Sequence, residues 1–243
     1  MEEIVIHSRL HRPGTIVDVG AHEGLLTVPF SRLPGSRVVA FEPLPRAFAR
    51  LSRALAEAHG GTIPPHVDLR PEALGDHQGE ITLSLPVLDG VAQEQWASTA
   101  KDYRGFEGRR ISVERLRVPL RTLDSFAFAD VTHLKVDAEG AEYEVFRGAV
   151  ETLRRCRPLI TAEIEERHRL GSTWAVPAFL DALGYDTHFY LSGRWFPIAA
   201  LDRATMQRAS SDPSVFEASD PYVFVFLITP RERTAEILAA LAD

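Results

Sequence analysis

The sequence contains little cysteine, no excess of basic residues and no long apolar run. Cys156 is the single cysteine among 243 residues, so the chain cannot form an intramolecular disulfide. The 27 Lys and Arg residues are outnumbered by 34 Asp and Glu residues, and a net charge of −7 is poorly suited to binding a phosphate backbone. The longest apolar run, at 222–228, is far shorter than the ~18 residues that indicate a membrane span. We therefore expect no nucleic-acid partner and no membrane span.

Composition and length favour a globular protein with one domain. Apolar residues make up 45% and charged residues 25% of the chain, which is ordinary for a protein that buries a large core. At the usual ~150 residues per domain, residues 1–243 favour one large α/β domain over two small ones. The chain starts Met1-Glu2-Glu3, which is acidic where a signal peptide carries positive charge, so we expect a cytoplasmic protein.

Short apolar runs alternate with segments of helical periodicity, a pattern typical of βαβ units around a parallel sheet. This pattern predicts strands at 16–19, 38–41, 67–74, 81–85, 111–118, 131–136, 159–164, 185–191 and 222–228. Helices are predicted at 43–59, 142–155 and 176–183, and the first and last of them end at glycines. The run 222–228 is apolar on both faces, so we expect this strand to lie inside the sheet.

The segment 89–110 lacks a clear period and is too long for an ordinary connection. It carries aromatic and hydroxyl side chains among polar residues, namely Trp96, Ser98, Thr99 and Tyr103. Long loops of this kind in compact domains are usually functional lids or disordered. We predict a substrate lid here, with an ordinary exposed loop as the alternative.

A glycine turn follows the first predicted strand. Gly20 and Gly24 allow the backbone to approach a nucleotide-like ligand closely, because they have no Cβ to clash with it. Their Gly-x-x-x-Gly spacing differs from the Gly-x-Gly-x-x-Gly of dinucleotide sites, which argues against a nicotinamide cofactor. Glu42 ends the second predicted strand, where an acid can accept both hydroxyls of a ribose. A glycine turn plus such an acid is what S-adenosylmethionine needs, since that ligand has a ribose and an amino-acid tail but no phosphate.

Three segments resemble a known family: IVDVGAHEG at 16–24, FEP at 41–43 and, most specifically, HLKVDAEGAEYEVFRGA at 133–149. The chain resembles the FkbM-type S-adenosylmethionine-dependent methyltransferases over about residues 14 to 165. The resemblance implies a Rossmann-like class I methyltransferase fold, that is, an α/β, doubly wound, mostly parallel seven-stranded sheet with an antiparallel C-terminal strand. Members of the family are mostly O-methyltransferases of sugars, polysaccharides and polyketide or peptide natural products. The family often has Asn where this chain has His22.

The resemblance also implies cofactor positions. Asp18, Gly20 and Glu42 match the family directly, and Glu72 and Ala73 are expected at the end of the third strand beside the adenine. The full set of predicted cofactor-binding residues is Asp18, Gly20, His22, Gly24, Glu42, Pro43, Glu72 and Ala73, with Asp76 as a weaker candidate. Since ligands of open α/β sheets bind outside the carboxyl ends of the strands, we expect the acidic ones to converge on one crevice with Asp137 and Glu163.

Asp137, Glu139 and His168 are the candidate catalytic residues. Methyl transfer to a hydroxyl requires the oxygen to lose a proton, and a carboxylate after the fourth strand or a nearby histidine could accept it. Glu142 has the alternative role of complementing the N-terminus of the next helix. If a divalent metal participates, Asp137, Glu139 and Glu163 are its candidate ligands.

The sequence therefore predicts an S-adenosylmethionine-dependent O-methyltransferase acting on a small-molecule or glycan acceptor. The sequence is also compatible with a homo-oligomer. The alternative is a non-catalytic binding module that keeps the same fold. Intact Asp18, Glu42 and Asp137 weigh against that alternative, because a degenerate site has no reason to keep all three.

Overall fold

Two β-sheets organise the computed structural model, which describes residues 1–88, 91–92, 111–209, 217 and 219–242. In chain order the strands are β1 (Gly14–Val19), β2 (Ser36–Phe41), β3 (Val67–Arg70), β4 (Ala73–Leu74), β5 (Gly79–Leu88), β6 (Val91–Ala92), β7 (Ile111–Arg121), β8 (Val131–Val136), β9 (Leu159–Glu163), β10 (Tyr185–Leu191), β11 (Arg194–Pro197) and β12 (Val225–Pro230). The helices are α1 (Glu3–Arg9), α2 (Thr27–Phe30), α3 (Pro45–Ala58), α4 (Glu142–Arg147), α5 (Val150–Cys156), α6 (Ser172–Ala182), α7 (Arg203–Met206) and α8 (Thr234–Ala242).

The large sheet has the order β11-β10-β12-β9-β8-β1-β2-β3. The strands β3, β2, β1, β8 and β9 are mutually parallel, and β12 runs antiparallel between β9 and β10. The seven strands from β3 to β10 thus form the predicted sheet, and the C-terminal strand lies inside it as expected. An eighth strand, β11, is added at the edge because the chain turns back after β10 and pairs antiparallel with it.

Helices cover both faces of the large sheet, because its central strands are buried along almost their whole length and successive side chains point to opposite faces. On β1, for example, Ile16 packs with α2 and α3, whereas Val17 packs in the larger core that includes α4, α5 and α6. In a third apolar cluster, α1 and α8 pack against Leu159 of β9 and Leu227 of β12. The sheet is therefore doubly wound, and the order of strands reverses between β1 and β8, which is where such sheets bind ligands.

The structure contains one predicted helix as a single helix and divides another into two. The helix predicted at 43–59 is α3, which begins with Pro45 at a position where the missing N–H costs no hydrogen bond. The helix predicted at 142–155 is divided into α4 and α5 around Gly148. A Cβ at Gly148 would lie 1.9 Å from the carbonyl oxygen of Gly75, so the chain bends where another backbone approaches it closely.

The segment between β3 and β8 forms a second sheet of order β4-β7-β5-β6. Its centre is a long antiparallel pairing of β5 with β7, from Gly79↔Leu120 to Leu88↔Ile111. The single third strand predicted at 67–74 is wrong in this respect: β3 ends at Arg70, and β4 pairs with β7 instead. Apart from β6, the predicted lid at 89–110 lies outside the described residues. None of the described helices is long and apolar enough to cross a membrane.

Candidate active site

The glycine turn after β1 is held by three neighbouring strands. Gly20 has φ of 75°, and a Cβ there would lie 1.9 Å from the carbonyl oxygen of Asp137, so no other residue fits. The backbone N–H groups of Gly20 and Ala21 both donate to the carbonyl oxygen of Phe41, at 3.0 Å. The turn therefore lies against the ends of both β2 and β8.

Lys135 is a buried cation beneath this turn. Its Nζ donates to the carbonyl oxygens of Gly20 at 2.8 Å and Val19 at 3.3 Å, and it lies 3.4 Å from Oδ1 of the fully buried Asp18. Burial acts to lower the pKa of Lys135, but Asp18 and other nearby carboxylates outweigh it, so the pKa lies above its usual value. Sequence reasoning missed Lys135, although a lysine inside the predicted strand 131–136 was a signal for it.

Glu42 is fixed at the end of β2 by two backbone donors. Its Oε2 accepts from the N–H of His22 and its Oε1 from the N–H of Leu44, both at 2.8 Å. The residue is only 4% exposed, and burial raises its pKa to about 7 despite these hydrogen bonds. Each oxygen keeps a further lone pair, so the carboxylate can still accept hydrogen bonds from a pair of hydroxyls.

A cleft outside the carboxyl ends of β1, β2 and β8 contains about 940 Å³ of empty space, part of it open to solvent. We call it the first cleft. Its lining includes eight predicted residues: Gly20, His22, Glu42, Pro43, Glu72, Ala73, Asp137 and Glu139. The second sheet contributes an apolar wall of Ile81, Leu83 and Leu120, which sequence reasoning did not anticipate.

Three other predicted cofactor residues have different surroundings. Asp18 lies beneath the first cleft, where Oδ2 accepts from the hydroxyl of Thr27 at 2.6 Å. Gly24 faces α3, because a Cβ at this position would lie 2.8 Å from Leu51 Cδ1. Asp76 pairs with Arg147 at 3.0 Å and with its neighbour in sequence, His77. Asp18 and Gly24 therefore support the turn from outside the lining.

The loop after β8 presents Asp137 and Glu139 to the first cleft. Asp137 Oδ2 lies 3.8 Å from Lys135 Nζ, while its buried Oδ1 has no hydrogen-bond partner among the described residues. Glu142 holds the loop in shape, because its Oε1 accepts from the N–H groups of Ala138 at 3.0 Å and Gly140 at 2.9 Å. Burial raises the pKa of Glu142 to about 7. Glu142 therefore stabilises the loop and is also the first residue of α4.

His168 lies in the wall beside this loop instead of in the lining of the first cleft. Its Nε2 is 3.3 Å from both Glu139 Oε2 and Glu165 Oε1. Glu165 is 1% exposed and also accepts from the hydroxyl of Tyr222 at 2.6 Å and from Arg167. The histidine therefore connects the first cleft to a second group of polar residues.

That group lines a second cleft, with about 800 Å³ of empty space partly open to solvent. Its lining consists of Glu163, Glu165, Arg167, Gln207, Arg208, Tyr222 and Phe224. Burial, assisted by Asp137 and Glu3, raises the pKa of Glu163 to about 8. The prediction that all acidic site residues share one crevice is therefore wrong for Glu163, because it faces the second cleft from the end of β9.

The proposed metal ligands are not gathered into a cation site. Asp137 faces Lys135, Glu139 faces His168, and Glu163 opens on the second cleft. Within the part of the chain that the structure describes, no three His, Cys, Asp or Glu residues are arranged to hold a metal ion.

Comparisons with known proteins agree with this architecture. The crystal structure of methyltransferase FkbM from Methylobacillus flagellatus KT has a TM-score of 0.53 at 16% identity, covering 75% of this chain and 42% of that one, which shows the fold alone. The AMB antimetabolite synthetase AmbE of Pseudomonas aeruginosa is 28% identical in an alignment 198 residues long, which covers 69% of this chain. Those residues amount to 9% of the synthetase, so the chain spans a small part of that relative.

The family comparison covers most of the chain and all the strands of the first cleft except the start of β1. The model of the methyltransferase FkbM domain matches residues 18–187. This match includes Asp18, the turn, Glu42 and the Asp137 loop, which carry the geometry described above. The fold is that of the Rossmann-like, S-adenosylmethionine-dependent methyltransferases, as the sequence predicted. The chain belongs to the methyltransferase FkbM domain family.

Proposed function

We propose that this methyltransferase binds S-adenosylmethionine in the first cleft and methylates a hydroxyl of a sugar, polysaccharide or natural product. The observation that carries the proposal is the placement of two carboxylates along one cleft. Glu42 is fixed at the end of β2, and Asp137 offers an unpartnered buried oxygen at the end of β8. Between them lies the glycine turn that lets a ligand approach the backbone.

The residues of the first cleft fit the parts of the cofactor. The Glu42 carboxylate would accept the ribose hydroxyls, and Leu83 and Leu120 offer apolar surface to the adenine. Glu72 Oε2 and His22 Nε2 are buried and have no partner among the described residues, so each can take a polar group of the ligand. The departure from Asn at position 22 therefore still leaves a polar side chain in the lining.

Charge supports a cationic ligand at the other end of the cleft. Two carboxyl groups lie close to Lys135 Nζ, those of Asp18 at 3.4 Å and Asp137 at 3.8 Å. A region with more acidic than basic groups favours a ligand that carries an ammonium and a sulfonium. When bound, S-adenosylmethionine would supply an electrophilic methyl group at this place.

Asp137 would contact the acceptor hydroxyl. Its position beside the Lys135 cation keeps the carboxylate oriented at the edge of the first cleft. Most of the rate acceleration would come from holding the hydroxyl in line with the donor, since alignment alone can supply several kcal/mol. Glu139 and His168 would hold the wall behind the loop.

The natural-product acceptor is favoured by one comparison. The curated relative is described as an antimetabolite synthetase, and this chain matches a small part of it. We further propose that the chain forms one domain and that the protein works in the cytoplasm. A metal requirement and a homo-oligomer stay predictions.

The test separates an enzyme from a binding module. Calorimetry measures binding of S-adenosylmethionine to the wild type and to Asp137→Asn, and ¹³C-methyl-labelled donor is incubated with a panel of glycosides, phenols and hydroxylated peptides. We expect both proteins to bind the donor and the wild type to form a methyl ether, with at least a 100-fold slower rate for Asp137→Asn. Binding with no transfer to any hydroxyl would favour the module, and a methyl on nitrogen would refute O-methylation.

A further inference from the structure

The first and second clefts adjoin at the ends of β8 and β9. These strands are parallel neighbours, with Val136 paired to Ala162, so Asp137 and Glu163 are the next residues on the two strands. Asp137 lines the first cleft and Glu163 lines the second. A group that enters the second cleft as far as the ends of these strands therefore contacts Glu163 and lies beside Asp137.

The second cleft is built by side chains that are held in place. Glu165 accepts from the Tyr222 hydroxyl at 2.6 Å and from Arg167 Nη2 at 2.8 Å, which fixes the position of the tyrosine ring. Gln207 links two backbone segments beside the cleft, because its amide donates to the carbonyl oxygens of Ile164 and Val223. These contacts hold Glu165, Tyr222 and the backbone around Gln207 in place.

Two aromatic rings bound this cleft on one side. The rings of Tyr222 and Phe224 have centroids 6.0 Å apart at an interplanar angle of 32°. Phe224 is 38% exposed, which is unusual for a phenylalanine. Such a surface suits a ring with a flat apolar face, and Glu163 in the same cleft offers carboxyl oxygens to a hydroxyl at the edge of that ring.

We infer that Glu163 is a further catalytic residue, which binds the acceptor hydroxyl in the second cleft and takes its proton. This inference rests on the proposed function. As the new C–O bond forms, the C–S bond of the sulfonium breaks, its electron pair stays on sulfur, and the hydroxyl proton moves to a Glu163 oxygen. Asp137 contacts the same hydroxyl from the first cleft, and the acceptor ring lies on Tyr222 and Phe224.

The surrounding charges make this base dependent on the cofactor. Glu163 is influenced by Asp137 from the β8 loop, Glu3 from α1, Lys135 from β8 and Glu165 from its own segment. Arg167, Arg208 and Tyr222 line the same cleft. With a pKa of about 8, the group is mostly protonated at neutral pH in the free protein. A cation entering the first cleft favours the carboxylate, so the base forms when the donor binds.

Proton release on binding tests the role of Glu163 without any acceptor. Calorimetry at pH 7.5 in buffers of different ionisation enthalpy counts the protons released when S-adenosylmethionine binds. S-adenosylhomocysteine serves as the reference, because it has the same ribose on Glu42 and no positive sulfur. We expect the wild type to release up to about 0.7 proton more with the sulfonium than with the thioether. Glu163→Gln should lose this difference, and Glu163→Asp should keep most of it.

Glu151→Gln is the matched control, because that carboxylate is on the surface of α5 and 66% of its side chain is exposed. It should release protons like the wild type. If Glu163→Gln released as many extra protons with the sulfonium as the wild type does, this inference alone would be overturned. Failure of every variant to bind either ligand would overturn the proposed function and this inference together.

Ligand-observed NMR tests the aromatic side of the cleft. In the presence of S-adenosylhomocysteine, saturation transfer is measured to methyl β-D-glucopyranoside and to 4-ethylphenol, which distinguish a sugar ring from an aromatic ring. We expect transfer to one of these probes and at least a threefold loss in Phe224→Ala. Ile63→Ala is the control, since Ile63 is equally exposed and does not line the cleft. Transfer that is unchanged in Phe224→Ala, or absent for both probes, would refute an acceptor ring at this place.

Discussion

Replacing Lys135 by methionine should destabilise the protein strongly. Methionine keeps most of the side-chain volume but removes the charge beneath the glycine turn. The carbonyl oxygens of Val19 and Gly20 would lose their donor, and Asp18, which is 0% exposed, would lose its cation. Breaking a buried ion pair from one side costs about 3–5 kcal/mol, because the remaining charge stays buried without compensation.

The size of this loss decides the role of Lys135. Domains are stable by about 5–15 kcal/mol, so a loss of 3–5 kcal/mol moves the urea midpoint far toward zero denaturant. Equilibrium unfolding in urea, followed by circular dichroism, measures it. Arg154→Met is the control, because its pair with Glu151 is exposed and contributes at most about 1 kcal/mol.

A double-mutant cycle separates the ion pair from lost packing. Asp18→Asn removes the buried negative charge, so in that background Lys135→Met should cost at least 1 kcal/mol less than in the wild type. A loss below about 1 kcal/mol in the single variant, or costs that simply add in the double variant, would refute the view that Lys135 neutralises the buried carboxylate.

Three further predictions follow from single contacts. Glu42→Ala should weaken S-adenosylhomocysteine binding by about 1.5–3 kcal/mol in calorimetry, because charge-assisted hydrogen bonds to the ribose are lost; exposed Glu57→Ala is the control, and equal affinities would exclude Glu42 from the ribose site. Gly20→Ala should abolish cofactor binding and lower the melting temperature, because its Cβ would overlap the Asp137 carbonyl oxygen; normal binding would refute this packing. His133 is buried, and burial, followed by nearby positive groups, lowers its pKa from 6.5 to about 3. The unfolded chain therefore binds the extra proton below pH 6.5, and stability should fall as pH drops from there toward 3, by up to about 1.4 kcal/mol per pH unit from this residue. His133→Asn should show a shallower fall in urea titrations across this range, whereas an identical slope would show that the folded protein protonates His133.

Much of the large sheet was predictable because its strands are short apolar runs separated by helices. Strands that are buried on both faces are apolar on both faces, so 38–41 and 222–228 stand out in the sequence. The glycine turn and Glu42 were predictable for a related reason: a sharp turn after one strand and an acid after the next have few other purposes. Local chemistry and chain order determined these features together.

The sequence alone also determined the family, since the segment 133–149 carries a pattern that depends on residue type at fixed spacing. It did not determine where the third strand ends. The residues 67–74 were predicted as one strand, but pairing of Ala73 with Leu120 places the second part in another sheet. That choice depends on a partner almost 50 residues away, which no local pattern contains.

Tertiary structure alone decided which acids share a cleft. Asp137 and Glu163 stand at the ends of neighbouring parallel strands and were expected in one crevice, yet Asp137 lines the first cleft and Glu163 lines the second. The same is true of Lys135, whose single charge inside an apolar strand acquires a meaning only when folding brings Asp18 and two carbonyl oxygens around it. Periodicity determines whether a side chain is buried, but the charges and cavities it meets there depend on the packing of distant segments.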